Sequence, residues 1–281
     1  MTTARPTEVV RVRGTRAVPA EDWLAIERPL EIRARTEGET RVISTTMRTP
    51  GEDRALVAGF LFAEGVVSHA GQIRSLETIE DDVVLVELDA GAAAALDATT
   101  RPFVTSGACG VCGRTSLETL RSPSEPEADR DNGSDGGWGA AAAPLRLSAA
   151  VVHELPASLR RAQVTFGQTG GLHAAGLFGF DGTRRAVHED VGRHNAVDKL
   201  VGTLLLGGGL PSRDGLLVVS GRASFELVQK AAAAGIRAMV AVGAPSSLAV
   251  DIARSAGMTL LGFVRDGGFN VYTGAERLTG I

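Results

Sequence analysis

The 281 residues carry 29 Lys and Arg against 33 Asp and Glu, a formal net charge of −4, which argues against a basic face built to hold nucleic acid. Hydrophobic residues at 44% and charged residues at 22% are those of an ordinary globular protein, long enough for one large domain or two modest ones. Apolar runs fall short of the roughly 18 residues of a membrane span, MTTARPTEVVRVRG has no signal-peptide core, and two cysteines suit a reducing compartment, so the cytoplasm is expected.

In chain order, LEIRARTEG and ETRVISTTM predict two strands joined at a turn near Gly38. GEDRALVAGFLFAEGVV predicts a helix with acids in its first turn and Gly65 near its end. IRSLETIE and VVLVEL predict a second strand pair around Asp81 and Asp82. Together these make a small α+β unit, assigned to 1–121. From 122 to 144, SPSEPEADRDNGSDGGWGAAAAP is too polar and too rich in Gly and Pro to offset its ordering entropy, and is expected to be a flexible linker. In 145–281, HAAGLFGF and TRRAVH predict a hairpin across Asp181-Gly182. GRHNAVDKLVGTLLL, RASFELVQKAAAAG and SSLAVDIARSAG predict helices, alternating with the strands GLLVVS, IRAMVAVG and MTLLGFV. That alternation is the signature of an α/β fold with parallel crossovers.

The stretch TSGACGVCGR, 105–114, holds both cysteines, Cys109 and Cys112. Its glycines oppose burial, so the pair is expected to do chemistry and not merely to pack. A metal site needs two more ligands, and no second CxxC exists, so histidines from His173, His188 or His194 would have to complete it. Dithiol redox of the thioredoxin type expects the motif after a strand and at the head of a helix. Sulfur carriage needs one thiolate to accept a sulfane sulfur and a neighbour to help release it. Spacing leaves all three open.

In α/β sheets, ligands bind beyond the carboxyl ends of the strands. Those ends read His188-Glu189-Asp190, Ser220-Gly221-Arg222, Gly243-Ala244-Pro245-Ser246-Ser247 and Arg265-Asp266-Gly267-Gly268. Helix N-termini, free backbone N–H groups and the guanidinium groups of Arg222 and Arg265 together suit a large phosphorylated ligand. With no Walker motif and no GxGxxG, an ordinary ATPase or dehydrogenase is disfavoured. His173 follows a glycine turn and His194 adjoins Arg193; each is open to a proton-steering or ligand role and equally to a structural one. His188 is expected to cap or pair with a carboxylate, His69 and His153 to be surface or packing residues, and Asp198 and Lys199 to form a solvated helix face.

TSGACGVCGR, TGGLHAAGLF (169–178), HEDVGRHNAVDKLVG (188–202), SGRASFELVQKAAAAGI (220–236) and GFVRDGGFNVYTGAERL (262–278) resemble the formate dehydrogenase accessory sulfurtransferase family, FdhD. The resemblance implies a sulfur carrier between a cysteine desulfurase and the molybdenum or tungsten bis-guanine dinucleotide cofactor of formate dehydrogenase, with the cofactor as bound substrate and no permanent cofactor or metal. It implies that Cys109 forms the persulfide with Cys112 as partner. It also implies that Phe263, Val264, Arg265, Asp266, Gly267 and Gly268 meet the cofactor, where some relatives carry a basic residue in place of Gly268. Ser220, Gly221, Arg222, His173 and His194 are the further cofactor-binding candidates. The family fold implies a cytidine-deaminase-like three-layer α/β C-terminal domain and a homodimer. The alternatives are a cofactor-binding chaperone whose CGVC docks a partner or binds zinc, and a zinc nucleotide deaminase, whose H-x-E and P-C-x-x-C order this chain lacks.

Overall fold

The computed structural model describes residues 2–36, 38–98, 103–104 and 145–281; the Cys109–Cys112 motif and the 122–144 stretch lie outside the described residues. The first predicted strand pair is Arg28–Thr36 and Glu39–Arg48, antiparallel, with Leu30, Ile32 and Ala34 alternating onto the buried face. The second pair is Ile73–Glu80 and Val83–Leu88, the latter running parallel beside Arg28–Thr36. Phe103–Val104 closes the far edge of this five-stranded sheet. The predicted helix, Asp53–Ala63, lays Leu56, Val57 and Leu61 on Leu30, Ile32, Val84 and Val86. Trimming one such fully buried leucine to alanine costs about 2–5 kcal/mol. A second helix, Ala90–Ala98, starts where the Asp89 carboxylate accepts the Ala92 N–H; its alanine run lacks the polar contrast that would have announced it.

Two elements at the start of the chain are not among those the sequence predicts. Ala4–Arg13 and Arg16–Ala25 form an isolated antiparallel ribbon, here called the arm, whose base rests on the short helix Val164–Thr169. Thr3 and Thr165 share a hydroxyl hydrogen bond of 3.0 Å at that seat.

The second sheet has six strands in the order Arg184–Asp190, His173–Gly179, Gly215–Val219, Ala238–Ala241, Thr259–Arg265, Gly268–Thr273. The central three are parallel, as expected from the alternation, and every residue of Gly215–Val219 and Ala238–Ala241 is buried. Both flanks are antiparallel, so the sheet is mixed. Its last hairpin turns on Asp266 and Gly267 at φ 53° and 75°, the two positive values that a tight two-residue turn demands. Helices Arg193–Leu206, Phe225–Ala233 and Ser247–Ser255 cover one face, and Ala149–Ala162 covers the other. The result is an α/β fold with helices on both faces of the second sheet.

Helix Arg193–Leu206 is shared. Leu200 and Val201 belong to the core against the six-stranded sheet, while Leu205 reaches the core of the five-stranded one. It crosses Asp53–Ala63 at backbone contact: a Cβ on Gly59 would lie 1.9 Å from the Asp198 carbonyl oxygen, and one on Gly202 would lie 1.8 Å from that of Ala55. Asp198 and Lys199 sit on this crossing, 3% and 1% exposed, which corrects the expectation of a solvated helix face. A helix covered on two sides has no solvated face to offer. Gly202→Ala is therefore expected to destabilise the protein by about 3 kcal/mol or more, since helix backbone cannot yield as a side chain can. Urea unfolding of that variant beside an exposed Gly167→Ala control, where a Cβ meets nothing, measures it.

Candidate functional site

The acidic strand end His188-Glu189-Asp190 is occupied by the protein itself. Lys199 Nζ lies 2.8 Å from Asp190 Oδ2 and donates to the carbonyls of Thr49 (3.0 Å) and Glu189 (3.2 Å), using all three ammonium hydrogens. Asp190 in turn accepts from the backbone N–H groups of Thr49 (3.1 Å) and Gly192 (2.8 Å) and from Asn195 Nδ2 (3.1 Å). Asn195 also donates to the Met47 carbonyl at 2.8 Å. Glu189 caps the short helix Val164–Thr169, its two oxygens accepting the N–H groups of Thr165 (2.9 Å) and Phe166 (2.8 Å). His188, buried as expected of a structural residue, has Nδ1 2.9 Å from Glu52 Oε1, and the close imidazole holds the Glu52 carboxyl below its ordinary range. Asp198 pairs with Lys230 at 2.6 Å. This strand end is a brace between the two sheets and leaves nothing for an anion.

The next two strand ends brace each other. Ala223 donates to the Ala244 carbonyl, Gly243 to Gly221, Ser246 to Ala223 and Phe263 to Gly243, at 2.9–3.1 Å. Ser246 Oγ accepts from Ala249 at the head of the following helix. These N–H groups, expected to be free for phosphate, are spent inside the fold. Arg222 is exposed, with its stem beside Gly243, and is not on the cavity described next.

That cavity, of about 700 Å³, lies at the carboxyl edge of the six-stranded sheet, between helix Ala149–Ala162 and the Arg265–Gly267 turn. Leu159, Leu172 and Val242 make it apolar at depth, and His173 and Ser220 lie on its floor. Ser220 Oγ accepts from the Ala174 N–H at 2.9 Å, which leaves its own O–H able to donate. Arg265, Asp266 and Gly267 form one rim. Arg265 is more than half exposed, and its 3.8 Å approach to the still more exposed Asp266 is worth little in water, so its charge stays available. Phe263 holds φ 54°, costly for an aromatic residue, and its ring lies 5.6 Å below the Arg265 guanidinium. Val264 is 1% exposed and part of the core, so only its backbone could meet a ligand. Gly268 is exposed and starts the final strand, outside the cavity lining. Gly221 sits behind His173, where a Cβ would come within 3.3 Å of Nδ1.

The two open histidines separate here. His173 is on the cavity, and burial, with Arg193 and then His194 nearby, pushes its pKa below the ordinary value, so the ring is neutral at pH 7. His194 is not on the cavity; it lies 3.6 Å from Glu226 Oε2 and 3.5 Å from Ser224 Oγ, tying its helix to the next one.

Three polar cavity residues were not among the sequence candidates. His153, expected at the surface or in packing, is exposed and packs its ring at a tilt 5.1 Å from that of Phe269, and it also lines the cavity. Arg160, two helical turns on, lines the same wall, its guanidinium 4.2 Å above the Phe166 ring. Gln163, 5% exposed, ends the wall with Nε2 lacking a hydrogen-bond partner among the described residues. The seven-residue spacing of His153 and Arg160 was the available signal, masked because 145–169 carries no motif. Among the described residues, no cluster of three or more His, Cys, Asp or Glu could hold a metal ion, and no helix is long and apolar enough to cross a membrane.

The brace carries a measurable penalty. Lys199→Met leaves Asp190 charged and buried without its partner, and is expected to cost about 3–5 kcal/mol, with Asp190→Asn in the same chain recovering part of it. Denaturant midpoints of the single and double variants test this.

Residues 25–279 match the FdhD/NarQ family model. A Nocardia farcinica protein named sulfur carrier protein FdhD is 45% identical over 282 residues, covering 97% of this chain and 94% of its own. A Mycolicibacterium paratuberculosis protein of the same name is 43% identical, covering 96% and 97%. The crystal structure of a chain from Desulfotalea psychrophila, assigned as a formate dehydrogenase accessory protein, superposes with a TM-score of 0.74 at 26% identity, covering 99% of this chain and 100% of that one. A match over nearly the whole chain, in sequence and in fold, leaves one conclusion: the protein belongs to the FdhD/NarQ family.

Proposed function

We propose that the protein is a sulfur carrier in formate dehydrogenase maturation, acting in the cytoplasm as a homodimer. Cys109 is the carrier. Its thiolate attacks the outer sulfur of a persulfide on a cysteine desulfurase; the new S–S bond forms on Cys109 and the donor cysteine leaves as thiolate. The acceptor is the molybdenum or tungsten bis-guanine dinucleotide cofactor, held as substrate by the C-terminal unit, while the N-terminal unit carries the cysteine pair.

The cavity between Arg160 and Arg265 is the observation that carries this reading. Its volume suits one nucleotide arm of the cofactor, and its two guanidinium groups suit a pyrophosphate. Phe166 and the apolar depth offer a surface for a base, and the Gln163 amide, unpartnered among the described residues, offers a polar partner. A neutral His173 can accept a proton or a hydrogen bond without placing a further charge there. The protein's part is then mostly positioning: the ligand is held while the persulfide is brought to it.

Incubation with a desulfurase and cysteine is expected to add roughly 32 Da, one sulfur atom, to Cys109 by mass spectrometry, and Cys109→Ala is expected to abolish both the adduct and formate dehydrogenase activation. Activation by Cys109→Ala would leave only the cofactor-binding chaperone. Arg160→Ala and Arg265→Ala are each expected to weaken GDP binding about tenfold by calorimetry, as loss of one phosphate contact would. His173 is expected to titrate below 6.5 in the free protein and to rise when GDP adds negative charge beside it, as followed by NMR.

A further inference from the structure

The arm belongs to neither sheet's core. Its base is seated on the body, with Ala4 buried there and Ala25 against Gly171. Helix Val164–Thr169, which bears both strands, supplies Phe166 to the cavity wall, and Gly170 and Gly171 continue that wall, so the arm rises beside the cavity. The family model begins at residue 25, the last of the arm, which leaves the arm outside the part of the chain that the model covers.

Cross-strand partners share a face, and the faces alternate along each strand. Ala4 and Ala25, which seat the base, share one face with Glu8 and Glu21. On the other face Arg13 lies directly opposite Arg16, Arg11 is on the diagonal to Arg16, and Arg5 follows nearer the base. All four arginines are exposed, and none forms an ion pair among the described residues; Arg11 Nη2 donates to the Glu21 carbonyl at 3.2 Å. Asp22 is the acid on this face, and its Oδ1 accepts the Trp23 N–H at 2.9 Å. Val9, Ala20 and Val18 are the apolar residues among the arginines.

Like charges set directly opposite one another destabilise a two-stranded ribbon, which is marginal in water to begin with. A hairpin kept for its own stability would set an acid across from Arg13. This one gathers three guanidinium groups at its tip, and an anionic partner that engages them offsets their repulsion. Pro6 and Pro19, one in each strand, blunt both edges against a third strand, so docking falls to the face.

We infer that the arginine face of the arm docks an acidic surface on the formate dehydrogenase that the carrier serves, and so holds that enzyme beside the cavity. Guanidinium forks match carboxylates in bidentate fashion, and the valines between them suit the mixed surface of a folded protein. A nucleic-acid duplex or a lipid surface extends well past the tip and meets a chain of net charge −4, which repels it. The arm's place beside the cavity favours the protein that receives the cofactor over the one that donates sulfur. Because the arginines are exposed, they act on encounter more than on residence: they speed association, and salt screens the effect. The inference rests on the sulfur-carrier reading and names the surface through which the carrier meets its recipient.

Biolayer interferometry of the full-length protein on immobilised apo formate dehydrogenase tests it. The combined variant Arg11→Glu, Arg13→Glu and Arg16→Glu is expected to associate about tenfold more slowly than the wild type at roughly 50 mM salt, with the gap closing toward roughly 500 mM. It is expected to keep the wild-type circular dichroism spectrum and to gain the sulfur adduct on Cys109, which shows that the fold and carriage are intact. Glu8→Gln with Glu21→Gln, on the opposite face, is expected to associate within about twofold of the wild type. A triple variant that associates at the wild-type rate in low salt overturns the inference, as does a wild type that does not bind formate dehydrogenase. A loss confined to the desulfurase, to a DNA duplex or to anionic vesicles also overturns it, since a different partner then occupies the face. A wild type that gains no sulfur on Cys109 would instead overturn the carrier reading itself.

Discussion

The architecture depends on one buried ammonium. Lys199 projects from the shared helix into a pocket of three oxygens, one contributed by the five-stranded side (Thr49) and two by the end of a strand in the six-stranded sheet (Glu189 and Asp190). A charge this deep is tolerated only because each of its hydrogens has an acceptor and one acceptor is ionised. Its net contribution to stability is modest; its contribution to geometry is large. Any slip between the sheets strands a charge away from water, so the pair selects one relative placement over its neighbours. The bare-backbone crossing at Gly59 and Gly202 enforces the same placement by shape.

From that placement the cavity follows. Glu189 is tied by its carbonyl to Lys199 and by its carboxylate to the N–H groups of Thr165 and Phe166. It thus links the brace to the short helix that forms one cavity wall. The wall facing the Arg265–Gly267 turn is the Ala149–Ala162 helix, packed on the sheet through Val152, Leu155 and Leu159. Motif residues from 188 to 202 therefore act mainly as structure, and the cavity lining comes from elsewhere.

Much of this was legible in the sequence. Val83–Leu88 and Ile73–Glu80 declare themselves by apolar content and flanking turns, and the central parallel strands by their alternation with amphipathic helices. Cavity residues at Ser220 and Arg265 follow from the rule that ligands meet strand ends, and His173 from the glycine turn before it. The failures have physical causes. Lys199 and Asp198 read as solvated because a charged pair on a helix normally is, and only the second sheet makes that face interior. His153, Arg160 and Gln163 come from a helix outside every motif, and tertiary packing alone brings them to the strand ends. The arm escaped because arginines and glutamates interrupt its alternation, which is what a ribbon open to water on both faces permits.

The strand end and turn that carry the cavity rim hold two non-glycine residues, Phe263 and Asp266, in left-handed backbone conformations. Such conformations cost of order 1–3 kcal/mol each, and here folding itself sustains them. The turn backbone that carries Arg265 is consequently set by the fold itself, so a ligand meeting this edge would find the entropy of organising that loop already settled. Grip at this edge can then come from guanidinium and backbone without a compensating loss from freezing the chain.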